Sequence, residues 1–521
     1  MLKKYSILLL LLSAVFSGFT QKENSNWFFG YYAAMTWKTT TSYSATGMYG
    51  TANATLTGMP TAISGSPLTT SEGCFSISDA DGNLLFFSDG MTIWDKNMDI
   101  MTNGSGLTGN KSSAQSGIIF PYPYNPTKYI AVSLGERQAD NLSYSVVDMS
   151  QGGGLGAVDA TYKNILLTGQ SGLLGESVAA VRHSNRNDFW IVAVGRNTTS
   201  PNYLNVWKVT STGVQTARHS SISVNVATSP SAPGGYIKFT SDGQHFVWVD
   251  FGNQFFVYGD FNPSTGIISN VRVRTGALNT TSPFGYGYGV EFSASGKYLY
   301  LTYAPSNVGT NNTSGLLVFD FEALLATSTP NTISPIISIV NPVSLTDGVT
   351  DHFGAIQTGP DGRMYIPRFN STGMFVIDNP EDPSNMKMYK ISDLLTARGV
   401  WGLPNFAAPW FRMEIDPPSN SERCAEASAT YLLEVINGMG LTDVSRIVMD
   451  FGDGGANSLV TITSPSLGTY TQAYTYKKPG TYTITVTAYN SSGGVELTTS
   501  SQMKINTCAL RVNPHIRGIN E

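Results

Sequence analysis

Six times along this chain a two-residue polar or glycine turn stands just before a short aromatic and β-branched run. The six are Asp81-Gly82 before LLFF, Thr127-Lys128 before YIAV, Asn187-Asp188 before FWIVAV, Asp242-Gly243 before HFVWV, Ser295-Gly296 before YLYLTY, and Asp361-Gly362 before MYI. Measured between the second turn residues, the steps are 46, 60, 55, 53 and 66 residues. A supersecondary unit recurring at roughly 40 to 50 residues, with insertions, implies a ring of small antiparallel sheets, a β-propeller. Such a ring is first a surface for binding and only sometimes a frame for catalysis.

Composition agrees with an all-β chain. Charged residues make up only 13% of the sequence, against 53 Gly and 26 Tyr, which argues against long amphipathic helices and against disorder. The formal net charge is −5, and no basic stripe invites nucleic acid. Lys3 and Lys4 precede an apolar run from Tyr5 to Phe16, with Gly18 and Thr20 before a cleavage point at Gln21. This reads as a secretory signal over residues 1–20, its core too short for a good membrane span. Its removal leaves 29 basic against 36 acidic residues, a net of −7, and no later stretch long and apolar enough to cross a membrane. No cysteine stands at a lipid-attachment position. Cys424 and Cys508 bracket the C-terminal segment and could pair in an exported protein, whereas Cys74, in EGCFSI, reads as a buried small hydrophobe.

The first strand candidate is Trp27 to Trp37, in NWFFGYYAAMTW, followed by a Ser, Thr and Gly rich stretch, Thr39 to Thr70, expected to be a surface loop. Later repeats lead into the turn with small residues and out of it with aromatics, as in GYGVEFSASGKYLYLTY. GLPNFAAPWF, residues 402–411, reads as a last strand sharing a closing blade with NWFFG, which would remove both free sheet edges. Six turn-bearing blades and one closing blade make seven; insertions leave six and eight open. The expected organisation is a propeller over 25–412, a Pro-containing linker over 413–421, a β-sandwich over 422–508 and a tail over 509–521.

The sandwich carries a resemblance. VMDFGDGGANS at 448–458, followed by YTYKKPGTYTITVTAYN at 474–490, resembles a PKD domain, an immunoglobulin-like β-sandwich marked by a DFGDG turn and a later Y-x-x-PG-x-Y strand. Met449 stands where that family usually has Trp. PKD modules resemble spacers and adhesive domains, and no catalytic residue travels with them.

The preceding region also resembles a known group. NWFFG, TSEGCFSISDADGNLLFFSDGMTIWDKNMDI, QSGIIFPYP, VAAVRHSNRNDFWIV, AIQTGPDGRMYI and GLPNF are similar to the propeller-like part of large Bacteroidetes surface proteins exported by type IX secretion. Some members of that group act in gliding motility or adhesion. Only about a dozen residues follow the sandwich, where that group usually has a sorting domain. The resemblance therefore implies a protein of the periplasm, outer membrane or cell surface that works with a secreted partner.

Chemistry-bearing candidates are few. His183 with Glu176 could act as base and partner in a central channel, though both fit better as groups satisfying backbone at a strand end. Asp351-His352 could sit at the channel mouth, but neighbours on a strand face opposite ways. Glu136, Arg137 and Asp140 form the densest charged cluster and are a candidate contact for a partner. Asp450 and Asp453 read as turn formers, and no run carries the alternating ligands of a calcium loop or the spacing of a zinc site. Neither metal nor cofactor is expected.

Two functions follow. The favoured one is an exported, non-enzymatic binding scaffold, its partner a cell-envelope or surface protein such as a secreted adhesin or an outer-membrane β-barrel, with a glycan as a second ligand class. The alternative is a propeller hydrolase or lyase acting on a sugar or lactone, using Glu176, His183, Glu291 and His352. An enzyme needs titratable groups converging on one site, and five histidines scattered at 183, 219, 245, 352 and 515 are a thin supply.

Overall fold

The computed structural model describes residues 22–507, apart from 80–81, 137–140, 186, 197–201, 217–221, 225–233, 251–254, 276–284, 306–312, 343–350, 409–411, 417–422, 437–443, 456, 466–467, 491–492 and 494. The proposed signal segment, the tail, Arg137, Asp140 and Cys508 therefore lie outside the described residues.

The six turns hold six radial blades, the first two joined into one nine-stranded sheet by the parallel pairing of Ala157 with Thr102. Their inner strands are Phe75–Ser78, Gly117–Pro121, Leu173–Arg182, Ile237–Phe239, Gly285–Phe292 and Gln357–Thr358, and each turn joins an inner strand to the next strand out. Gly82, Gly243, Gly296 and Gly362 all have φ between +69° and +79°, a conformation that costs any residue with a Cβ, which is why glycine recurs there. The turns lie together on one face, hereafter the lower face: Ser241 donates to the Ala294 carbonyl at 2.9 Å, and Gly243 abuts Val181. The inner strands begin at the opposite, upper face. Buried aromatics fill the spaces between blades, as the aromatic strands predict.

The seventh unit is built entirely from the N-terminal segment: β1 (Asn26–Phe29), β2 (Ala33–Tyr49) and β3 (Ala54–Ala62). β1 runs from the lower face, where the Asn26 amide donates to the Gly82 carbonyl, to the upper face, where Thr70 N–H donates to Gly30. Phe28 stacks on Phe87 of the first blade at 3.8 Å, and Trp27 meets Tyr365 of the sixth edge-on at 5.8 Å. The far half of β2 hydrogen-bonds β4 (Lys387–Ile391), the outer strand of the sixth blade, so the ring closes through one seven-stranded sheet.

Two expectations are corrected here. Most of the stretch Thr39 to Thr70 is not a loop, since Thr39 to Ala62 belongs to the long β2–β3 hairpin; its exposed Thr39, Thr40, Thr41 and Ser42 lie where the register shifts, while residues such as Leu56 and Met59 are buried. GLPNF does not pair with NWFFG, since β1 pairs with β2.

The C-terminal unit is a two-sheet sandwich with its own core around Tyr431, Ile447, Phe451, Tyr476 and Val486. Its first edge strand, Arg412–Asp416, is supplied by Arg412, expected to end the propeller, and four residues expected in the linker, and it pairs with Leu432–Ile436. That strand ladder was hidden by the two prolines that follow it. Cys424 is disulfide-bonded and Cys74 is free and buried. Asn506, two positions before Cys508, bridges Cys424 in parallel.

Candidate functional site

The axis of the ring is filled by the chain itself. Residues 401–408 enter at the upper face between the sixth and first blades, where Trp401 accepts from Ala355 N–H at 2.7 Å and donates to the Ser71 carbonyl at 3.1 Å. They then run parallel to the inner strands, bridging Cys74 through Pro404 and Ile119 through Phe406, until Ala408 donates to Ala180 of the third blade. Gly402 permits this path, because a Cβ there would stand 1.7 Å from the Glu72 carbonyl oxygen.

Two amides lock the segment. The Asn405 Nδ2 donates to the Gly117 and Val178 carbonyls at 3.0 and 2.9 Å, and its Oδ1 accepts from Gln115 Nε2 at 3.0 Å. Gln115 Nε2 also donates to Ile237, while its Oε1 accepts from Val178 and Ile237 N–H. Both side chains are buried, so every polar atom in this network replaces a contact that water would otherwise make. Along these residues the axis is a packed, hydrogen-bonded core.

The four residues of the hydrolase reading do not meet. Glu176 lies in the upper half of its strand and accepts from Ala114 N–H at 3.2 Å. His183 follows the end of the same strand, at the lower face, about 20 Å away along an extended chain. Its Nδ1 accepts from Asn185 N–H at 2.9 Å, and its ring stacks on Trp190; burial, with Lys208 nearby, holds its pKa below the ordinary value. Glu291 sits in the lower half between blades, accepting from Phe292 and Thr358 N–H and lying 3.6 Å from Lys238 Nζ, which in turn donates to Gln357. His352 is at the upper mouth. Among the described members of the charged cluster, Glu136 accepts from the Asn110 amide at 2.9 Å.

The upper mouth is the candidate site that remains. His352 stacks on Trp401 at 5.6 Å, Phe369 packs against both, and Tyr288 leans on Trp401 at 5.8 Å. The Tyr288 hydroxyl donates to Glu72 Oε1 at 3.2 Å, and burial with this carboxylate beside it raises the phenol pKa far beyond the ordinary value. Asp351, next to His352, points elsewhere, pairing with Arg368 and, at 3.3 Å, Lys390. Among the described residues neither ring nitrogen of the buried His352 has a hydrogen-bond partner, and burial lowers its pKa. Burial also pushes the Cys74 thiol well up, which leaves it a poor nucleophile. Among the described residues the arrangement offers aromatic faces, with the Glu72 carboxylate beside Tyr288. Among the described residues no group of three or more His, Cys, Asp or Glu is placed to hold a metal ion, and no helix is long and apolar enough to cross a membrane.

In the sandwich, Asp450 Oδ1 accepts from Gly452 N–H and Asp453 Oδ1 from Gly455 N–H, each at 2.9 Å, so DFGDG is a pair of side-chain-closed turns. Phe451 stacks on Tyr474 at 3.9 Å, and the Tyr476 hydroxyl donates to the Phe451 carbonyl. Comparison with known families matches residues 419–503 to the PKD domain. The C-terminal sandwich is a PKD domain. No curated protein matches the chain. Solved structures similar to it include a candidate 6-phosphogluconolactonase from Bacteroides uniformis, 11% identical, covering 78% of this chain and all of that one, TM-score 0.36. The β-propeller domain of Cps50 (Swd1) from Myceliophteria thermophila is 10% identical over 71% of this chain and 96% of that one, TM-score 0.32. An exo-β-1,3-galactanase from Phanerochaete chrysosporium is 10% identical over 80% and 93%, TM-score 0.32. With scores this low, the propeller assignment rests on the sheets themselves, and the PKD assignment on sequence and fold together.

Sequence reasoning missed Gln115, Asn405 and Trp401. The available hint was an amide inside each of two otherwise apolar segments, QSGIIF and GLPNF, but the partners lie 290 residues apart.

Proposed function

We propose that this chain is an exported, non-enzymatic binding scaffold of the bacterial cell envelope, accessory to adhesion, gliding motility or type IX secretion. The observation that carries the reading is the filled axis: residues 401–408, locked by Asn405 and Gln115, occupy the space where a propeller enzyme would seat a substrate. The separation of Glu176 and His352 from His183 and Glu291 between the two faces supports it further. The PKD domain fits the same role as a spacer between the propeller and its surroundings. The test is affinity purification of the tagged chain from outer-membrane fractions, where a specific envelope protein is expected to co-purify. Recovery of the bait alone would overturn the proposal. So would turnover of a lactone or glycoside by the purified chain that disappears in Glu176→Gln or His352→Ala.

A further inference from the structure

Three buried polar side chains from three different blades meet toward the lower face of the ring. Lys238 lies in the short inner strand of the fourth blade, Glu291 near the end of the fifth blade's inner strand, and Gln357 opens that of the sixth. They are 7, 8 and 7% exposed, so little water reaches them. Since the fifth blade stands between the other two, Lys238 reaches across its inner edge, which its flexible four-carbon stem allows. Its Nζ donates to Gln357 Oε1 at 2.5 Å and stands 3.6 Å from Glu291 Oε2. An amine therefore touches the oxygen of a carboxamide, with a carboxylate beside both.

The groups are also held in place. Glu291 accepts from the Phe292 and Thr358 N–H groups at 3.0 and 3.3 Å, and Gln357 Nε2 donates to the Thr358 carbonyl at 3.3 Å. A nucleophile, an acyl carbon and a proton carrier fixed in contact need no encounter, which removes much of the barrier to their reaction. We propose that Lys238 and Gln357 form an isopeptide cross-link that ties the fourth blade to the sixth, with Glu291 carrying the protons. Glu291 takes one proton from the Lys238 ammonium, and the free amine adds to Gln357 Cδ. A second proton passes from Nζ through the Glu291 carboxyl to Nε2, the Cδ–Nε2 bond breaks, and ammonia departs. One hydrogen remains on the new amide nitrogen and one on the carboxyl. Two buried opposite charges thus become neutral groups, which relieves the cost of keeping them out of water. The inference goes beyond the scaffold reading and stands or falls without it.

Mass spectrometry of the purified, reduced chain tests this directly. The intact mass is expected to lie below that of the sequence by one ammonia. Cyclisation of Gln21 at a cleaved N-terminus loses the same mass, so the tryptic map decides: residues 219–272, uncut at Lys238, are expected joined to 298–363. Lys238→Arg and Glu291→Gln are expected to leave these two peptides separate, the first through loss of the nucleophile and the second through loss of the proton carrier. Near-UV circular dichroism reports whether each variant is folded. Separate peptides in the wild-type chain overturn the proposal whatever the variants do. A link that persists in folded Glu291→Gln overturns the role given to that carboxylate.

Discussion

At the scale of single residues, the buried amides of Gln115 and Asn405 set the character of the molecule. Replacing Asn405 with Ala orphans the Gly117 and Val178 carbonyls and one Gln115 hydrogen, and each such group costs about 1–3 kcal/mol when left buried and unpaired. Asn405→Ala is therefore expected to destabilise the propeller by about 2–4 kcal/mol in urea unfolding, and the double variant with Gln115→Ala by less than the sum. Additive losses would show that the two amides do not act as one network. His352 makes a second prediction. Burial among Trp401 and Phe369 favours its neutral form, so the unfolded chain takes up the proton first as pH falls. The stability it contributes is complete above the ordinary imidazole value of about 6.5 and is lost as pH falls toward and through the depressed folded value. Melting temperatures followed from neutral to acid pH should converge between wild type and His352→Phe at the alkaline end and diverge toward acid, with the wild type falling faster. Parallel curves would contradict this.

At the scale of elements, the axial segment, the six turns and the β2–β3 hairpin differ in how local their causes are. The turns are set by two or three neighbouring residues, which is why Asp242-Gly243 and Asp361-Gly362 could be read directly as hairpin turns. The hairpin could not, because its Ser, Thr and Gly content resembles a loop until β4, some 340 positions later, supplies the ladder that orders its far half. The axial segment depends on contact rather than propensity. Gly402→Ala puts a Cβ into the Glu72 carbonyl, a backbone atom that cannot rotate aside, and is expected to cost about 1–3 kcal/mol or more as overpacking. Near-UV circular dichroism should also change, since Trp401 adjoins the displaced residue. An unchanged spectrum and melting curve would mean that 401–408 does not hold the packed path described above.

At the scale of the whole molecule there are two kinds of core: the inter-blade clusters of the ring, and the separate cluster of the PKD domain. Heating is expected to give two transitions rather than one. Reductant should lower only the PKD transition, by about 2–5 kcal/mol for loss of the Cys424 disulfide. A single transition, or a propeller transition that moves with reductant, would show the two cores to be coupled. The sequence by itself determined the all-β class, the recurring turn-and-strand unit and the PKD sandwich, because turn chemistry, strand alternation and the DFGDG turns each act within a few residues. Only the tertiary structure decided that the ring closes through β2 and β4, that residues 401–408 fill its axis, and that Glu176 and His183 face opposite ends. Those outcomes depend on which surfaces meet after residues hundreds of positions apart are brought together, and no local preference of Gly402, Asn405 or Gln115 encodes that meeting.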